Sequence, residues 1–197
     1  MDAEQVTMLR EVLAATGWLE RTGEFGQALR TSARTPGGLL LVGTPAEDPW
    51  HMAAHLDDES RLGGLPGLSP TLVRWSPPPG APPHLSVGLD RLEAARRGET
   101  LFVVAEDGAP VPLLERVDDA RRTGAVILAL EGGDRDLRGL AHEALTVPPD
   151  EGLISFDGAQ HLVSAAAGGT VPRTNTPRGL RRRLARLLDA VSGPTVD

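Results

Sequence analysis

The chain has no cysteine and no tyrosine among its 197 residues, and only three Phe and three Trp. Without thiols it can form no disulfide, no thiolate nucleophile and no cysteine metal site. So few rings leave little surface for base stacking, which argues against single-stranded nucleic-acid binding. Positive charge is also in deficit. Twenty Lys and Arg against 27 Asp and Glu leave a net charge of −7, the wrong sign for nonspecific contact with a phosphate backbone, so nucleic acid is not an expected partner. No apolar run approaches the roughly 18 residues of a membrane span. Met1 is followed by Asp2 and Glu4 rather than by a basic and then apolar leader, and the expectation is a cytoplasmic protein.

What is present suits one modest domain with a real core: 40% of residues are hydrophobic, while 23 Gly and 17 Pro imply many punctuated loops. Val6, Leu9, Val12, Leu13, Trp18 and Leu19 recur at helical spacing, interrupted at Thr16-Gly17. A second helical stretch through Phe25, Ala28 and Leu29 reaches Thr35, where Pro36-Gly37-Gly38 stops it. Leu39 to Val42 form a continuous apolar run closed by Gly43, as expected of a parallel strand covered on both faces. A helix carrying His51 and His55 follows. Pro70 to Trp75 reads as a strand, Ser76 to Pro83 as a stiff connector or a ligand for a proline-recognising partner, and Leu85 to Arg97 as a helix with Gly98 at its C′ position. A second strand–loop–helix unit runs from Gly98 through Ala105-Glu106-Asp107-Gly108-Ala109-Pro110 to Thr123. Ala125 to Leu130 is the next strand, Gly132-Gly133-Asp134 a plain turn, and Ile154 to Ala167 a helix starting near Ser155 or Asp157.

The order of these units resembles the sugar isomerase, or SIS, domain, and within it the phosphoheptose isomerases, over roughly residues 10 to 170. Gly43-Thr44-Pro45-Ala46-Glu47-Asp48-Pro49-Trp50 stands where that family has a Gly-Asn-Gly-Gly-Ser loop, and residues 105 to 110 stand where it has a Ser/Thr-rich loop cradling the substrate phosphate. The resemblance implies an α/β three-layer αβα sandwich with a mostly parallel five-stranded sheet in flavodoxin-like order. It also implies a homodimer joined through the N-terminal helices, with Leu9, Val12, Leu13 and Trp18 as the apolar stripe. The expected division is an N-terminal helical segment over 1–36, an α/β core over 37–170 and a C-terminal helix over 171–197.

The chemistry departs from the family. A phosphate loop needs free backbone N–H groups and hydroxyl donors at a helix N-terminus. Pro45, Pro49 and Pro110 remove N–H donors, and Glu47, Asp48, Glu106 and Asp107 put carboxylates where a dianion would sit. Acidic residues are favourable at helix N-termini in their own right, so both loops read as self-capped. Gly43, Thr44, Glu47, Asp48, Glu106, Asp107 and Gly108 are the candidate ligand-binding residues. His51 and His55, spaced i and i+4, could give two imidazoles to one ion, with His161 as a third ligand. No cofactor is expected beyond a zinc at these histidines; the alternative is helix histidines bonded to backbone or carboxylates. By resemblance His51 matches the family's metal-region His, His55 replaces its catalytic Glu, and His161 lies where it places another catalytic His. His55 and His161 are thus the catalytic candidates, with Glu106 a weaker one. Asp57-Asp58-Glu59 and the 115–122 charges read as solvated surface.

From Thr176, capped and followed by Pro177, Leu180, Leu184, Leu187, Leu188 and Val191 form one apolar stripe, with Arg178, Arg181, Arg182, Arg183 and Arg186 around it. This helix either docks, its leucines completing the core or a subunit interface, or binds a partner, whether a protein or an anionic surface such as a membrane or nucleic acid. The expected function is a diverged, noncatalytic SIS protein in a regulatory or scaffold role that binds a carbohydrate derivative. Two alternatives stand beside it: an aldose–ketose isomerase of sedoheptulose 7-phosphate type, and a regulator acting through its arginine helix.

Overall fold

The computed structural model describes residues 17–82, 85–148 and 154–169. The stripe at Val6 to Leu13 and the arginine helix from Thr176 lie outside the described residues. In chain order come α1 (Trp18–Ser32), β1 (Leu39–Val42), α2 (Trp50–Gly63), a 3-10 turn (Pro66–Leu68), β2 (Thr71–Val73), the short α3 (Asp90–Glu93), β3 (Thr100–Ala105), α4 (Val111–Arg122), β4 (Val126–Glu131), α5 (Arg135–Leu140), β5 (Glu143–Thr146) and α6 (Phe156–Ala167). All five strands are parallel in the order β2-β1-β3-β4-β5, with β1 paired to β3 from Leu39↔Thr100 to Val42↔Val103. This is the expected three-layer α/β architecture.

The two faces of the sheet explain its composition. Leu39, Leu41, Phe102, Val104, Leu128 and Leu130 pack with Phe25 and Leu29 of α1, Met52 and Leu56 of α2, and Ala159 and Val163 of α6. Their strand neighbours Leu40, Val42, Leu101, Val103 and Ile127 face Leu92 of α3, Leu113 and Val117 of α4, and Leu137 of α5. Alternate side chains point to opposite faces, so covering both faces demands apolar residues at every position, and β1 and β3 are buried throughout. The connection after β1 runs on the first face and that after β3 on the second. The chain therefore parts between β1 and β3 at their C-terminal ends, where such sheets open a crevice.

Three local expectations need correction. The helix expected over Leu85–Arg97 is only the four residues Asp90–Glu93. The segment before it lies along β2 instead: the Arg74 N–H donates to the Val87 carbonyl at 2.9 Å, and Arg74 bridges Gly88 in parallel fashion. A backbone bond to an edge strand outweighed the local helical pattern. Helix α1 stops at Ser32 rather than Thr35: Ala33 already leaves helical geometry at φ −81° and ψ 69°, and Pro36 disfavours that geometry at Thr35. Trp18, expected at a subunit contact, is buried in the chain's own core at 2% exposure.

Helix α1 crosses α6 at Gly26. A Cβ there would fall 2.5 Å from the Ala166 Cβ and 2.7 Å from its carbonyl carbon, so the two helices meet backbone to backbone. Gly23, in the same helix, has open space around it. Gly26→Ala is expected to destabilise by about 1–3 kcal/mol through overpacking. Gly23→Ala is expected to stabilise by about 0.5–1 kcal/mol, the ordinary helix effect. Urea unfolding of the two variants measures this opposition of sign.

Candidate functional site

The loop after β1 folds tightly back on itself. A Cβ on Gly43 would lie 2.0 Å from the Glu47 carbonyl oxygen, so only glycine fits, and the Glu47 N–H donates to the Thr44 carbonyl at 3.2 Å. Trp75 Nε1 donates to the Gly43 carbonyl at 2.9 Å, tying the loop to the end of β2. Helix α2 begins after Pro49 with no side-chain cap. The self-capping expected of Glu47 and Asp48 is therefore not what the fold does. Asp48 Oδ2 lies 2.9 Å from Arg74 Nη1, and Glu47 Oε1 accepts from Gln160 Nε2 of α6 at 3.2 Å. Each carboxylate is used across the fold rather than along its own helix.

The second loop departs from expectation in the same way. Glu106 and Asp107 are exposed, and α4 follows Pro110 without a side-chain cap. The backbone donor of this loop is taken from elsewhere: the Ala109 N–H donates to Asp134 Oδ2 at 2.7 Å. Asp134 Oδ1 meanwhile caps α5, accepting from Asp136 and Leu137 N–H at 2.9 and 3.0 Å. Sequence reasoning passed over Asp134 as part of a plain turn. Its place before a helix signals the cap, but nothing in the sequence signals the bond to Ala109, 25 residues upstream.

Glu131 was likewise missed. It is fully buried at the end of β4, accepting from Arg138 Nε at 3.2 Å, from the Gly133 N–H and from the Thr146 hydroxyl. A buried carboxylate needs such partners to offset its lost hydration. This clamp joins β4, β5 and α5 beside the second loop.

Helix α6 brings the third element to the crevice. Ser155 caps it, its hydroxyl oxygen accepting from the Gly158 N–H at 3.0 Å, as the sequence led one to expect. One turn in, Asp157 Oδ2 lies 3.4 Å from His161 Nε2. The His161 ring meets that of His55 edge-on, with centroids 4.3 Å apart. His161 is buried and its Nδ1 has no hydrogen-bond partner. His51, in contrast, is exposed against Trp50, with ring centroids 3.5 Å apart. The structure thus joins His55 to His161 and leaves His51 aside. Among the described residues no group of three or more His, Cys, Asp or Glu is placed to hold a metal ion.

The field at the crevice is negative. The Glu47 carboxyl is raised above its ordinary value by burial first and then by Glu106, with Asp107 and Asp157 adding to the rise and the Gln160 bond opposing it. The His55 imidazole is lowered by burial first, then by His161 and His51, against Asp58 and Asp157. A neutral His55 beside His161 is a competent proton acceptor.

No family model and no curated protein matches this sequence. Solved structures do. A protein of Silicibacter pomeroyi DSS-3, provisionally assigned as a phosphosugar isomerase, superposes with a TM-score of 0.56 at 16% identity, over 95% of this chain and 53% of its own. A provisionally assigned sugar-binding protein of Salmonella typhimurium LT2 gives 0.56 at 19% identity, over 96% and 53%. The Vibrio vulnificus NanR protein, complexed with ManNAc-6P, gives 0.51 at 12% identity, over 95% and 68%. The chain spans about half the length of the first two. What is shared at these identities is the fold alone, a parallel α/β sheet with helices on both faces.

Two pH effects follow. Because His55 binds its proton more weakly folded than unfolded, stability should fall as pH drops below 6.5, and His55→Gln should flatten that decline. Glu47 has the opposite sense: its raised value means that ionisation costs stability as pH rises above 4.5. Glu47→Gln should therefore raise the melting temperature at neutral pH, by roughly a degree or two, and change little at acid pH. Thermal melts across pH read both.

Proposed function

We propose that the protein is a noncatalytic, diverged sugar-isomerase-fold module with a regulatory or scaffold role, binding a carbohydrate derivative that carries no phosphate. The observation that carries this reading is Asp134: its carboxylate takes the Ala109 N–H at 2.7 Å, in the loop where a phosphate would seek that donor. Pro110 offers no N–H beside it, and Glu106 and Asp107 keep the approach negative. Isomerisation needs both a base and an anchor that holds the open-chain sugar against it. His55 and His161 offer a base; neither loop offers the anchor. The carbohydrate part of the reading accords with a fold shared by a protein provisionally assigned to sugar binding; NanR is complexed with a phosphorylated sugar, so the loss of the phosphate is argued here from the loops of this chain alone. A homodimer belongs to the same reading.

The test is thermal denaturation of the full chain with N-acetylmannosamine, fructose and other neutral sugars, each set against its 6-phosphate. A native-state ligand adds about 2.7 kcal/mol of stability at 100 times its Kd and so raises the melting temperature. Shifts with unphosphorylated members and none with the esters are expected. A larger shift with an ester, or turnover of sedoheptulose 7-phosphate that is lost in His55→Ala, would replace this reading with the isomerase.

A further inference from the structure

A cleft of about 260 Å³ opens between the C-terminal ends of β1 and β2, and none of its lining residues is a histidine or belongs to α6. Its walls are the 43–49 loop and residues 73–76, including Thr44, Asp48, Arg74 and Trp75. The cation in it is only half used. Arg74 Nη1 lies 2.9 Å from Asp48 Oδ2, while Arg74 Nε is buried with no acceptor. A guanidinium is always charged, and its planar fork matches a carboxylate through two parallel bonds, so a single contact leaves a donor unsatisfied. Asp48 is on a short loop and its side chain is 36% exposed, so it can turn out to water; Arg74, 22% exposed at the end of a strand, is the fixed partner.

We propose that this cleft binds a small carboxylate-bearing sugar, a sugar acid, whose carboxylate displaces Asp48 from Arg74. Asp48 is then a built-in competitor that holds the site closed when no ligand is present. Replacing one carboxylate by another leaves the charge beside Arg74 unchanged, whereas a phosphate dianion would add a second negative charge close to Glu47, another lining residue. Thr44 and Ser76 add hydroxyls to the cleft wall. Trp75 adds an indole held by its bond to Gly43, a rigid apolar wall of the kind that sugar rings pack on. The volume lies just below the roughly 300 Å³ at which ordinary ligand pockets begin, which suits a single ring. The inference rests on the function proposed above and names the ligand class and the place of binding, since Gly43, Thr44, Glu47 and Asp48 of the cleft are among the candidate ligand-binding residues, while the His55–His161 contact lies outside it.

The experiment is isothermal titration of the full chain with D-glucuronate, D-glucose and inorganic phosphate. Wild type should bind glucuronate in preference to both controls. Asp48→Ala should tighten glucuronate binding about two- to fivefold, the worth of an exposed ion pair removed from competition. Arg74→Gln should abolish it, with a far-ultraviolet circular dichroism spectrum confirming the fold; if that variant does not fold, Arg74→Lys, which keeps the charge but loses the fork, should weaken binding. No glucuronate heat in either wild type or Asp48→Ala overturns the proposal, as does phosphate binding equal to glucuronate. Binding that survives in a folded Arg74→Gln but is lost in His55→Gln would place the ligand at the other site and also overturn it.

Discussion

One constraint governs the molecule: a parallel sheet with helices on both faces leaves only the ends of its strands open to chemistry. Every side chain that reaches the crevice comes from a segment leaving a strand, or from the start of α6 packed beside it. Because β1 sends its chain to one face and β3 to the other, their loops diverge, and the 43–49 loop, the 106–110 loop and α6 surround the gap. Burial of Leu39–Val42 and Thr100–Ala105 thus places the site before any site residue is chosen.

Within that frame the fold answers its own charges. The backbone donor Ala109 N–H of the second loop is met by the chain's own Asp134, and the carboxylates of the first loop reach side chains elsewhere in the fold, Asp48 at Arg74 and Glu47 at Gln160. These contacts are worth little singly at the surface; the Glu47 carboxyl is raised by burial first and then by Glu106, Asp107 and Asp157. A phosphate would have to compete with groups that cannot diffuse away. The histidine pair is different in kind, since His55 is kept neutral by burial and by its neighbour, and so remains able to accept a proton.

Much of the fold was legible in the residues. The unbroken apolar run at Leu39–Val42, closed by Gly43, announced a doubly covered strand, and Ser155 announced the start of α6. Leu85–Arg97 misled because apolar spacing and helix-favouring residues were read without the edge of β2, whose unpaired backbone groups claimed that segment through Val87. The site was legible in its composition, proline-stiffened and acidic, but not in its pairings. Glu47 and Asp48 looked like caps because capping is local and therefore readable; their actual partners are Gln160, 113 residues away, and Arg74.

The sequence by itself determined that the chain would build a parallel α/β sheet, where its strand-end loops would fall, and that those loops would carry negative charge, because hydrophobic periodicity, glycine and proline act over a few residues. Tertiary structure alone decided which carboxylate meets which donor, that His161 rather than His51 stands against His55, and that Arg74 faces a cleft with part of its fork unfilled. Those outcomes depend on how distant elements cross, as where α1 meets α6 at Gly26, and contacts between distant segments leave no periodic trace in the order of residues.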